Sequence, residues 1–163
     1  MLRSWRPEDA AVRHLMWAER DPRVPPHRGL DAKGHPTVAE LEAEIRRAAP
    51  PTPDAPGVLA LECRDGGGVV GSCGLVDTGR GAAGEPELAV ELLRSAQGRG
   101  WATEASLAVL ALARDLGHAR TWATVWDWNT PSRRLLARLG FEDTGRTEVD
   151  PERGVTLFLV RHH

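Results

Sequence analysis

The chain has no tyrosine, so no phenol is available anywhere in it to act as a general acid. Lysine is nearly absent too: Lys33 is the only one, and arginine carries the remaining basic charge, a bias to which we attach no function. Acidic and basic side chains nearly cancel, leaving a formal net charge of -2 and a pI near 6.3. That balance provides no basic field to grip nucleic acid, and none is expected as a partner. The two cysteines, Cys63 and Cys73, fall on neighbouring strand-like stretches and read as small buried thiols, not as a disulfide or a metal site. The six histidines lack metal-ligand spacing, so no metal is implied; His14 reads as a surface or core residue. No apolar run is long either. The longest, around Leu107 to Ala113, is far short of the roughly 20 residues that a membrane span needs. Arg3, Arg6, Glu8 and Asp9 interrupt any apolar leader, so we expect a soluble, cytoplasmic protein that makes no use of a membrane.

What remains is a chain of 163 residues, the length of one domain spanning 1–163, with alternating helical and strand-like periods. Leu2 to Trp5 reads as a strand, and Pro7-Glu8-Asp9 opens a helix running to about Glu19. Asp21 to Pro36 carries so many prolines and glycines that it reads as a loop long enough to be functional. Thr37 with Glu40 forms a capping box for a second helix that ends before Pro50. The proline-rich segment from Pro50 to Gly57 is a loop, and Val58 to Cys63 and Val69 to Val76 then form a hairpin. Glu87 to Leu93 is a strand, Trp101 to Leu116 a buried helix stopped by Gly117, and Arg120 to Trp126 an alternating strand. Asn129 or Thr130 caps a helix ended by Gly140, and strands near Glu142 to Val149 and Val155 to Val160 close the order. The pattern predicts a mixed α/β layer fold without internal repeats.

Its most informative segment is Gln97-Gly98-Arg99-Gly100-Trp101-Ala102, a glycine-rich turn between a strand and a helix. Such a turn aims several backbone N–H groups at one point, where the helix dipole also favours negative charge. The spacing differs from both the dinucleotide fingerprint and the P-loop, since no lysine follows the glycines. Gly98, Gly100 and Ala102 leave room for phosphates, and the N–H groups of Arg99, Trp101 and Thr103 are the inward donors.

Gln97-x-x-Gly100-x-Ala102 resembles the pyrophosphate signature of GNAT-type N-acetyltransferases. Asn129, Ser132 and Leu139-Gly140-Phe141 reproduce the family's closing motif. Together with Glu87 and Thr103-Glu104-Ala105 the match is most similar to the ribosomal-protein N-terminal acetyltransferase (RimJ/RimL-like) branch. The resemblance implies a central, mostly antiparallel twisted sheet of about six to seven strands with a splayed central pair and helices on both faces. It implies acetyl-CoA as cosubstrate, its pantetheine arm pairing with backbone near Val90 and Leu92 and meeting Asn129. It also implies an oxyanion donor at a backbone N–H near Leu92. Many relatives carry a tyrosine seven residues after the asparagine; here that residue is Leu136, so the serine at Ser132 inherits the role of proton donor to the thiolate.

Glu87 and Glu91 share one face of their strand, where a half-buried carboxylate could serve as base; Glu87 matches the family's recurrent glutamate. Trp122, Trp126 and Trp128 share strand parity, the last two arriving just before Asn129. Such a stripe suits a core, a homodimer surface or an acceptor wall. We expect Trp126 and Trp128 to bound the acceptor site opposite the long loop, with Glu87 or His27 or His35 facing the amine. The expected activity is acetyl transfer to a primary amine, a protein N-terminus or small amine, by direct attack in a ternary complex. Two rivals stand: an acyl-CoA-binding module without turnover, and a nucleotide-binding domain.

Overall fold

The structure, a computed structural model, describes residues 1–24, 36–49, 52, 57–82 and 84–163. Seven strands form one sheet: β1 (Leu2–Arg3), β2 (Val58–Glu62), β3 (Val69–Val76), β4 (Glu87–Leu92), β5 (Arg120–Trp126), β6 (Glu142–Asp150) and β7 (Gly154–His162). Their order is β1-β2-β3-β4-β5-β7-β6, and every neighbouring pair is antiparallel except β4 with β5. Among the described residues four α-helices accompany them: α1 (Ala10–Glu19), α2 (Val38–Arg47), α3 (Trp101–Asp115) and α4 (Thr130–Arg138).

Alternation along β3 separates the two faces of the sheet. Cys73 packs with Leu110, Ala113 and the α4 residues Leu135 and Leu136, so α3 and α4 lie on its side. Val70, of opposite parity, packs with Met16 of α1 on the other side, and α2 closes over α1 through Ala10, Leu41 and Ile45. The layered fold with helices on both faces is as the motifs implied. Local chemistry fixed the helix ends: Thr37 and Glu40 form the capping box of α2, and Gly117 at φ 84° follows the last turn of α3.

Several details differ from the sequence reading. The first strand is only Leu2–Arg3, and Pro7–Asp9 forms a 3₁₀ turn ahead of α1. A second 3₁₀ turn, Arg94–Ala96, intervenes between β4 and the glycine turn. Cys63 lies just beyond β2 and is only half-buried, whereas Cys73 is fully buried. The apolar run of α3 is not buried all round: Leu107 is 48% exposed, because that side of the helix borders an open cleft. Of the long loop only Asp21 to Val24 and Pro36 are described; His27 and His35 lie outside the described residues. Among the described residues no helix is long and apolar enough to cross a membrane.

Candidate active site

The glycine turn has the geometry its composition required. Gly98 and Gly100 sit at φ 76° and 82°, a region that side-chain-bearing residues avoid, and a Cβ at either would project into open space. Gly100 is the N-cap of α3, and the first helical bond is the Glu104 N–H to the Gly100 carbonyl at 3.0 Å, so the N–H groups of Trp101, Ala102 and Thr103 lack helical partners. Beside them opens a cleft of about 580 Å³ lined by Gly98, Gly100, Thr103, Glu104, Leu107 and Arg138. The Gln97 amide donates to the Leu92 carbonyl at 3.3 Å and ties the turn to the end of β4. The Arg99 guanidinium lies over the Trp101 ring, its carbon 5.2 Å from the ring centroid.

 With its side chain stacked on Trp101, what Arg99 offers the turn is its backbone N–H.

The parallel pair β4 and β5 is a fork. Its register holds one pair, Glu87 with Trp122, with the Trp122 N–H donating to the Pro86 carbonyl at 2.8 Å. By the two-residue repeat of a strand, the polar backbone groups of Leu88, Val90 and Leu92 turn to the same side as Pro86, toward β5. Beyond Leu88 the strands diverge, and the backbone groups of Val90 and Leu92 face the gap. At the far end of β5, the Asn129 side-chain oxygen accepts from the Ser132 N–H at 3.2 Å and caps α4. The gap therefore leads from Asn129 and Ser132 on one prong to the glycine turn beyond the other.

The two strand glutamates have different surroundings. Glu87 is buried, and its carboxyl accepts from the Thr78 hydroxyl at 2.6 Å, from the Thr124 N–H at 3.0 Å and from the Thr124 hydroxyl. Glu91, half-buried, is gripped by both arms of Arg20 at 2.7 and 2.5 Å, and that guanidinium lies 3.7 Å over the Trp17 ring. Trp126 and Trp128 stack with centroids 6.1 Å apart and planes 10° from parallel. Arg23 covers Trp128 at 3.8 Å, and the Trp128 indole N–H donates to the Arg153 carbonyl at 2.7 Å. Trp122 stands apart from this pair, its indole N–H donating to the Glu85 carboxylate.

Residues 1–142 match the family described as Acetyltransferase (GNAT) domain. The chain belongs to the GNAT acetyltransferase family. This GNAT chain is thereby an N-acetyltransferase by family. It is similar in structure to a GNAT-family acetyltransferase from Bacillus anthracis, at 15% identity and a TM-score of 0.76 over 99% of this chain and 93% of that one. A ribosomal-protein-alanine N-acetyltransferase from Brucella melitensis matches at 22% identity and a TM-score of 0.69, covering 100% of this chain and 99% of that one. RimJ from Mycobacterium smegmatis, solved in complex with CoA-disulfide, matches at 26% identity and a TM-score of 0.67, covering 99% of this chain and 80% of that one. No curated relative matches the sequence.

For this GNAT acetyltransferase, sequence reasoning missed the partners that define the carboxylates. Arg20 stands 71 positions before Glu91, and Thr124 stands 37 after Glu87. Neither separation has a periodic signature, so only the sheet brings them together. Arg138, on the last turn of α4, reaches the cleft beside Gly98 in the same way.

Proposed function

We propose that this chain transfers the acetyl group of acetyl-CoA to a primary amine by direct attack in a ternary complex. One observation carries the reading: beyond the single Glu87–Trp122 pair the β4–β5 gap presents the backbone groups of Val90 and the Leu92 N–H, and the chain then runs into the left-handed Gly98–Gly100 turn. The turn fits a pyrophosphate, because open space lies where each Cβ would be and the first N–H groups of α3 face it. Val90 and Leu92 would pair with the pantetheine arm, and a Leu92-side N–H would stabilise the oxyanion.

An N-terminal amine, with a pKa of about 7.7 to 8.0, is partly neutral near physiological pH and needs only a modest base. Glu91 stands on the face of β4 that carries this chemistry, and Arg20 fixes its orientation for a proton relayed through water. Ser132, in the first turn of α4, would protonate the departing thiolate. A covalent acetyl-cysteine is disfavoured at Cys73, where burial pushes the thiol up to about 11. Trp126 and Trp128 form the aromatic wall for the acceptor's body.

The test is acetyl-CoA calorimetry together with free-thiol release across a panel of amines. Saturable binding, amine-dependent thiol release and intersecting initial-velocity lines are expected. Tight binding with no thiol release from any amine would instead make the chain a binding module. Displacement by ATP as effective as by coenzyme A would make it a nucleotide-binding domain.

A further inference from the structure

The Thr124 N–H marks where the parallel ladder stops. Continued by one step, the register of Glu87 with Trp122 would pair Ala89 with Thr124 and direct the Thr124 N–H to the Leu88 carbonyl. Instead that N–H donates to the Glu87 carboxyl at 3.0 Å, and the Thr124 hydroxyl donates to the same oxygen. The other oxygen accepts from the Thr78 hydroxyl at 2.6 Å. Glu87 is 8% exposed and Thr124 half-buried, so a missing acceptor at this point would leave a partly buried backbone donor without its partner.

We infer that Glu87 is a positioning residue, a wedge whose carboxyl replaces a backbone acceptor on β4 and holds the β4–β5 fork open. With the Thr124 N–H satisfied by a side chain, β5 has no need to close on β4, and the backbone groups of Val90 and the Leu92 N–H stay free of β5. Three hydrogen bonds from Thr78 and Thr124 occupy the carboxyl, which suits a fixed acceptor better than a group that must take a proton from an amine. The inference deepens the acetyl-CoA reading, because the freed groups are those assigned to the pantetheine arm.

Glutamine keeps the acceptor oxygen that Thr124 needs and removes the base; alanine removes both. We therefore expect Glu87→Gln to retain more than a tenth of kcat, with the shape of the pH profile unchanged, and Glu87→Ala to raise the acetyl-CoA Kd about tenfold. Amide hydrogen exchange in the ligand-free protein tests the wedge without any cofactor: the Thr124 N–H should be protected in wild type and in Glu87→Gln and exchange at least tenfold faster in Glu87→Ala. Should Glu87→Ala not fold, Thr124→Ser and Thr78→Val provide the same exchange measurement, with slow exchange expected in the first and faster exchange in the second. A hundredfold loss of kcat in Glu87→Gln with loss of a pH limb would overturn the inference and make Glu87 the base. Equal exchange at Thr124 in wild type and the alanine variant would overturn it as well. If wild type binds no acetyl-CoA while the exchange pattern holds, the cofactor reading fails and the wedge stands.

Discussion

Gly100 combines a backbone requirement with a ligand requirement, and the two can be separated. Its φ of 82° makes any side chain strained by roughly 1–2 kcal/mol. Gly117, at φ 84° beyond the other end of α3, imposes the same strain without a glycine turn beside it. Gly100→Ala and Gly117→Ala should therefore lose similar stability in denaturant titrations. Only Gly100→Ala should weaken acetyl-CoA binding, by about tenfold or 1.4 kcal/mol. Equal affinity in the two variants would remove the phosphate assignment. Ser132 is tested at the same scale: Ser132→Ala should lower kcat about fivefold while acetyl-CoA affinity stays within about twofold. An unchanged kcat would leave thiolate departure unassisted.

Between elements, one tie outside the site is made by Arg3. Its guanidinium on β1 reaches Asp9 at 2.7 and 3.0 Å and Glu62 on β2 at 2.8 and 3.1 Å, joining the sheet edge to the turn that begins α1. Burial alone would raise the Asp9 carboxyl, but the Arg3 hydrogen bond and the Arg6 N–H outweigh it and hold Asp9 below its ordinary value. Glu62 is lowered chiefly by its hydrogen bond to Arg3. Folded values below unfolded ones mean that this stabilisation is complete above the ordinary carboxyl range and is lost as pH falls through the lowered values. The thermal midpoint should therefore drop on acidification below about pH 4. Arg3→Met, which strands the buried Asp9, should cost about 3–5 kcal/mol near neutrality and flatten that pH dependence. A variant with the wild-type acid profile would show that other carboxylates govern it.

At the scale of the molecule, Trp128 joins three segments distant in sequence. It stacks on Trp126, lies under Arg23 at the start of the long loop, and bonds the Arg153 carbonyl in the β6–β7 turn. A pair held this way is a structural pin as well as the proposed acceptor wall. Trp128→Ala should lower the thermal midpoint and raise the acceptor KM, with the acetyl-CoA Kd within about twofold. If acceptor kinetics are unchanged and an oligomer dissociates instead, the stacked pair belongs to a homodimer interface.

Local rules determined much of this protein before any tertiary contact formed. The capping box at Thr37 and Glu40, the glycine stop after α3, the alternation of β5 and the Gly98–Gly100 turn each depend on neighbours within a few residues, so the sequence displays them. The glycine turn is also why the geometry of the proposed cofactor side could be expected from the sequence. The surroundings of the two strand carboxylates could not. The same-face placement of Glu87 and Glu91 followed from strand parity, but their difference depends on partners 37 and 71 positions away. Thr124 turns Glu87 inward as an acceptor at the fork, and Arg20 holds Glu91 at the end of α1. Only the fold of the sheet, which sets β5 beside β4 and α1 across its face, decides which carboxyl is enclosed and which is held beside the gap.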